Sequence, residues 1–214
     1  TARTKWNHGG DLKERVIDLG LEGKFRIAQA NMHARYMRAY QKWGGLDFDG
    51  VWLLHNCLSA TPSLKFAFGG SVTYAHQPYT RPNTPVMEKE LYLSAWFDIR
   101  PIIRLYIENW YTYVKGDSLD TGGEIYEGYI LRTRWSLQVT RNLSVRLVGQ
   151  YDNFDHHFDL DPLLTYRLSP FSVFYVGSTY DYCRFNGTDE DSWDTKTCLT
   201  SRQFFMKLQY LFQI

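Results

Sequence analysis

Apolar and polar residues alternate along most of this chain. In the final stretch Phe204, Met206, Leu208, Tyr210, Phe212 and Ile214 fall on every second position, with Lys207, Gln209 and Gln213 among the residues between them. Successive side chains of a strand point to opposite faces, so this pattern predicts a strand with one apolar face, suited to lipid or to a core. Read the same way, the chain from residue 48 onward predicts strands near 48–58, 64–74, 88–99, 102–115, 124–138, 143–153, 159–168, 171–182 and 201–213. Tight connections are expected at Thr61-Pro62-Ser63, Arg100-Pro101, Arg141-Asn142 and Ser169-Pro170, all rich in turn-forming residues. Longer polar loops are expected at about 75–87, 116–123, 153–158 and 183–200.

Before residue 48 the pattern is weaker. Residues 27–40 contain good helix formers and would also pass as a helix. Two further strands, about 12–21 and 24–40, joined at Glu22-Gly23 and followed by a loop at 41–47, keep the alternation of turns and loops. The expected total is about eleven antiparallel strands.

The faces sort cleanly in several segments. In 88–99, Leu91, Leu93, Ala95, Phe97 and Ile99 oppose Glu90, Tyr92, Ser94, Trp96 and Asp98. In 124–138, Tyr129, Leu131, Thr133, Trp135 and Leu137 oppose Arg132, Arg134, Ser136 and Gln138; in 143–153, Leu143, Val145, Leu147 and Tyr151 oppose Ser144, Arg146, Gln150 and Asp152. A soluble sandwich with one wet face shares this alternation. Strands of up to about fourteen residues, against the usual five or six of globular proteins, favour an all-β, antiparallel, up-and-down transmembrane barrel.

Composition fits that choice. A mean hydropathy of -0.40 stands beside 17% aromatic residues, and no run approaches the roughly 20 apolar residues of a membrane helix. A barrel strand shows lipid only every second residue and needs about ten alternating positions, with aromatic girdles at the interfaces. Short turns at one end and longer loops at the other match periplasmic turns and extracellular loops.

The terminal strand, 201–214, resembles the C-terminal signal that the barrel-assembly machinery reads in bacterial outer-membrane barrels, on Met206, Leu208, Tyr210, Phe212 and Ile214; Ile214 departs from the usual Phe. The segments Leu143-Ser144-Val145-Arg146-Leu147, Asp159 through Pro170, Val173-Phe174-Tyr175-Val176-Gly177 and Phe205 through Phe212 resemble the closing strands of the DUF5916 family of outer-membrane proteins. That family typically joins a β-sandwich like the family 9 carbohydrate-binding modules to a large C-terminal barrel. The resemblance implies location in the outer membrane of a Gram-negative bacterium, contact with its lipid and lipopolysaccharide, and passage through the assembly machinery. It covers roughly residues 120–214 and carries no carbohydrate-binding residue onto this sequence. An odd strand count, the absence of an initiator Met and the absence of a signal peptide lead us to expect that residues 1–214 are the C-terminal portion of a larger, even-stranded barrel.

Cys183 and Cys198 flank a polar segment between two consecutive antiparallel strands, where a disulfide is expected; it would stabilise by about 3 kcal/mol in the chain-entropy model. Cys57 is left over and reads as a small apolar strand residue. The run Asp152 through Asp159, with His156 and His157, and the triplet Asp189-Glu190-Asp191 lack metal-ligand spacing and read as polar loops, so no metal or cofactor is expected. Asn142-Leu143-Ser144 and Asn186-Gly187-Thr188 match the glycosylation acceptor pattern but read as turn residues. No nucleophile elbow, phosphate-binding loop or paired-cysteine zinc pattern occurs, which argues against an enzyme. A net charge of +1 gives no case for nucleic acid.

By parity the polar wall carries Arg104, Glu108, Arg132, Arg134, Arg146, Asp152, Arg167 and Lys207. These charges form either a salt-bridged interior or, through Arg132, Arg134, Arg146 and Arg167, a basic stripe that biases a pore toward anions. The two functions left open are transport through the lumen and an anchoring role, with a closed lumen and partner proteins bound at the loops.

Overall fold

The computed structural model describes residues 1–43, 45–81, 85–185 and 196–210. Twelve strands form a single antiparallel sheet in which each strand neighbours the next in sequence. They are β1 (Ala2–Trp6), β2 (Leu12–Phe25), β3 (Ala30–Trp43), β4 (Leu46–Ser63), β5 (Phe66–Tyr79), β6 (Val86–Ile102), β7 (Leu105–Ser118), β8 (Glu124–Gln138), β9 (Leu143–Asp152), β10 (His157–Ser169), β11 (Ser172–Phe185) and β12 (Lys196–Tyr210). No helix among the described residues is long and apolar enough to cross a membrane.

All the strands but the first are expected from their alternation, and the turns at Arg141-Asn142 and Ser169-Pro170 fall where expected, but the count and several other turns are corrected. The expected eleven strands are twelve, because Ala2–Trp6 pairs with β2, Ala2 opposite Ile17 and Trp6 opposite Leu12. Residues 27–40 are not helical: a 3-10 turn at Ile27–Gln29 leads into β3. The reversal between β2 and β3 falls there rather than at Glu22-Gly23, and Gly23 instead pairs with Met32 inside the ladder. Ala28 and Gln29 take positive φ to make it, which the sequence does not advertise. Thr61-Pro62-Ser63 and Arg100-Pro101 close strands instead of turning; the chain reverses just after, at 64–65 and 103–104. Proline's fixed φ suits extended backbone, and its missing N–H is tolerated near a strand end. The loop expected at 41–47 shrinks to the link between Trp43 and Leu46, which face each other.

The chain divides into two compact units. The first comprises Thr1–Ser63, Ala67–Ala95 and Thr112–Gly128, and the second Leu64–Phe66, Trp96–Tyr111 and Tyr129–Ile214.

In the first unit a β-bulge decides where the dry core sits. Ala39 opposes Val51 but Gln41 opposes Phe48, so Asp49 and Gly50 together face Tyr40 alone. One extra residue reverses the side-chain parity of β4. Phe48 and Val51 therefore share a face, where they bury with Val16 and Ala39 and pack on Met37 and Met87. The opposite face is apolar and bare: Val16 is 3% exposed while its neighbour Ile17 is 52% exposed, and Leu19 and Leu21 are also exposed.

In the second unit β9 to β12 pair in continuous register apart from small shifts near the ends of β10 and β11. Phe204, Met206, Leu208 and Tyr210 of β12 are all more than half exposed. The bare apolar face expected for the terminal strand is present as far as Tyr210; Phe212 and Ile214 of the expected assembly signal lie outside the described residues.

Candidate functional site

The polar face of the sheet carries every candidate. In the second unit the end of β6, the 103–104 turn and the facing parts of β8, β9 and β10 border a half-open cavity of ≈ 460 Å³, lined by Arg100, Arg104, Ser136, Gln138, Arg146 and Thr165 among others. Ser144 and Thr165 are direct cross-strand partners, as are Arg146 and Leu163, and Ser136 and Arg146. The two-residue period of a strand thus delivers these side chains to one face.

Three guanidinium groups meet at this cavity, and no carboxylate pairs with any of them among the described residues. Arg100 stacks over the Tyr106 ring at 4.7 Å from its centroid, and the Tyr106 hydroxyl donates to Asp98 Oδ2 at 2.7 Å. Arg104 Nη1 donates to the Val139 carbonyl at 3.3 Å. Stacked or carbonyl-bound guanidiniums keep their full charge, and their planar forks suit carboxylate or phosphate oxygens. Ser136 and Thr165 add neutral donors.

The residues expected on this wall divide into paired and unpaired. Arg134 donates through Nε and Nη2 to both carboxylate oxygens of Glu108, which is buried. Arg132 donates to Gln150 Oε1 at 3.3 Å. Arg146 and Arg104 line the cavity. Arg167 opposes Val173, and Lys207 opposes Tyr175, on β10 and β12. The expected basic stripe is therefore broken: Arg134 is neutralised by Glu108, and Arg100, assigned in sequence to a turn, takes its place because β6 continues to Ile102.

The first unit holds three polar groupings on the same face. Asp18 accepts from Arg35 Nε at 2.9 Å and from Arg35 Nη2 at 2.6 Å. Gln77 Nε2 donates to Glu90 Oε2 at 3.1 Å, and the Tyr126 hydroxyl donates to the same oxygen at 3.0 Å. Glu88, only 2% exposed, lies beside them. His33, His55 and Cys57 place one potential ligand atom each within 4.8 Å of one another. Cys57 is thus not merely a small apolar filler; parity counting could have found the trio only with the β3–β4 register, in which His33 opposes Cys57.

Two further sequence expectations are corrected. Cys183 and Cys198 are direct cross-strand partners, as expected, but both are free thiols and no disulfide joins them. Adjacent register is not sufficient, since a disulfide also requires specific Cβ directions; Asp181 opposes Ser201 but Tyr182 opposes Leu199, so Thr200 is an extra residue that twists the ladder beside the pair. His157, read as part of a polar loop, begins β10 and lies 3.1 Å from Asp159, with Asp181 close by. The triplet Asp189-Glu190-Asp191 and the Asn186-Gly187-Thr188 pattern lie outside the described residues.

No protein-family model matches the chain, so the resemblance to the DUF5916 family finds no support from that comparison. No curated protein sequence matches either. Among solved structures, the NanC porin in a rhombohedral crystal form is similar over 93% of this chain and 94% of its own, at 10% identity and a TM-score of 0.34.

Proposed function

We propose that this chain is an integral β-barrel of the outer membrane of a Gram-negative bacterium whose polar wall forms a selective path for small anionic solutes. The observation that carries this reading is the division of the two sheet faces. One face leaves Ile17, Leu19, Leu21, Phe204, Met206 and Leu208 bare, which water disfavours at roughly 25 cal/mol per Å² of apolar surface and lipid does not. The other presents Arg100, Arg104 and Arg146 around a cavity, an arrangement that attracts anions as charge rings do in channels.

In this reading the lipid and lipopolysaccharide of the outer membrane cover the apolar face, the barrel-assembly machinery inserts the chain, and the protein performs no catalysis. The test is single-channel conductance of the refolded protein in planar bilayers under a salt gradient. A stable conductance whose reversal potential favours anions supports the reading.

The alternative, a closed barrel that anchors a surface assembly through its loops, draws on the dry cluster of Val16, Ala39, Phe48 and Val51 on the polar face. A wide aqueous lumen does not require such a cluster. An inserted protein that stays silent in the bilayer would favour the anchor.

A further inference from the structure

We propose that His33, His55 and Cys57 form a binding site for a single borderline-to-soft metal cation, with Zn²⁺ as the natural occupant class. The three side chains project from β3 and β4 on the polar face, and their ligand atoms lie within 4.8 Å of one another. Imidazole nitrogen with thiolate sulfur is the donor set that selects zinc and its soft neighbours over magnesium or calcium, which prefer oxygen. Zn–N bonds of about 2.0–2.1 Å and a Zn–S bond of about 2.3 Å place tetrahedral ligand atoms roughly 3–4 Å apart, so only small side-chain rotations close the site.

The surroundings favour a cation. His55 Nδ1 is hydrogen-bonded to Thr73 Oγ1 at 2.8 Å; with Nδ1 as the donor, Nε2 carries the lone pair, which is how outer partners commonly orient a ligating histidine. Arg35 opposes His55 in the ladder but is held by Asp18 through three contacts of 2.6–3.1 Å, which offset its charge. Binding deprotonates the Cys57 thiol and releases one proton to solvent. Three protein ligands leave a fourth position for water or an anion. This inference is independent of whether the protein conducts.

The test uses the detergent-refolded full chain carrying Cys183→Ser and Cys198→Ser, so that Cys57 is its one thiol. Titration with Co²⁺ is expected to give one equivalent of bound metal with a thiolate-to-cobalt charge-transfer absorption, displaced by Zn²⁺. Zn²⁺ is expected to slow alkylation of Cys57. His55→Ala and Cys57→Ser should each weaken Zn²⁺ affinity by at least tenfold, and Thr73→Val by about 10- to 100-fold, the usual effect of losing a partner that orients a ligand. Circular dichroism of each variant shows that the sheet persists. Absence of the charge-transfer band overturns the proposal. So does a bound equivalent that survives Cys57→Ser and His55→Ala but is lost with Asp181→Asn, since that places the metal at the His157, Asp159 and Asp181 cluster.

Discussion

The Phe205 ring occupies the space that a β-carbon on Gly177, its cross-strand partner, would need, with Cζ only 2.6 Å from that position. A glycine opposite an aromatic ring lets the ring lie over the bare backbone, a device that restores packing where glycine weakens a strand. Gly70 is constrained differently: its absent β-carbon would lie 2.6 Å from the backbone carbonyl oxygen of Ser94. A ring tip can swing aside, whereas a carbonyl within a sheet cannot move without its strand. We expect Gly177→Ala to destabilise by about 1 kcal/mol and Gly70→Ala by about 3 kcal/mol, the low and high ends of typical overpacking costs. Urea unfolding in detergent micelles, followed by tryptophan fluorescence, ranks the two; equal losses would contradict this account.

The ion pair of Glu108 and Arg134 gives a second prediction. Glu108 keeps 8% of its side-chain surface and Arg134 keeps 37%. Removing one partner of a buried pair typically costs about 3–5 kcal/mol because the other charge is left uncompensated. The partial exposure of Arg134 screens its charge, so Glu108→Gln is expected to cost about 1–3 kcal/mol. The double substitution Glu108→Leu with Arg134→Met, which removes both charges, should recover most of that loss. Unfolding midpoints of the parent protein, Glu108→Gln and the double substitution measure it.

The same pairing predicts which arginines set ion selectivity. A unit charge about 6 Å from an ion interacts by about 0.7 kcal/mol at the dielectric constant of water, a factor of about three. Arg104→Ala and Arg146→Ala should each lower the chloride-to-potassium permeability ratio about tenfold at low salt, about threefold from each ion, with the effect shrinking as the Debye length shortens. Arg134→Ala exposes the carboxylate of Glu108 instead of removing an unpaired cation, so the shift toward cations there should be abolished by adding Glu108→Gln. Reversal potentials under a salt gradient provide the measurement. Equal effects of Arg104→Ala and of the Arg134→Ala, Glu108→Gln pair would contradict it.

Much of the fold was legible because strand parity is a local rule. In β6 three members of the polar set chosen from sequence find partners: Glu90 accepts from Gln77, Ser94 meets Ser71 at 2.8 Å, and Asp98 accepts from Tyr106. What parity cannot supply is register. The extra residue at Asp49-Gly50 and the extra Thr200 each reverse the faces beyond them; Gly50, a glycine inside a strand pattern, hints at its bulge, whereas nothing in the sequence marks Thr200. The neutralisation of Arg134 and the meeting of His33, His55 and Cys57 are likewise consequences of which strand positions stand opposite one another. The early turns were misplaced for a related reason: Pro62 and Pro101 punctuate the sequence, but their backbone geometry is that of a strand ending.

Gly50 offers the most specific test of that bulge. Its φ is +80°, and no atom lies within 4 Å of the position a β-carbon would take, so any penalty for substitution is backbone strain and not crowding. Non-glycine residues rarely adopt this left-handed region; asparagine tolerates it best, and β-branched residues tolerate it worst. Gly50→Asn should therefore cost well under 1 kcal/mol, Gly50→Ala about 1 kcal/mol and Gly50→Val about 2 kcal/mol or more. The strain has a structural outlet, because relaxing the bulge would return β4 to simple alternation and turn Phe48 out of the cluster it forms with Val16, Ala39 and Val51. Gly50→Val should then leave the far-ultraviolet strand signal intact while lowering the unfolding midpoint and making a cysteine at position 48, introduced as Phe48→Cys in a background with Cys57, Cys183 and Cys198 replaced by serine, reactive toward a lipid-soluble maleimide. If that cysteine is equally reactive with glycine and with valine at position 50, the bulge does not control which face Phe48 occupies.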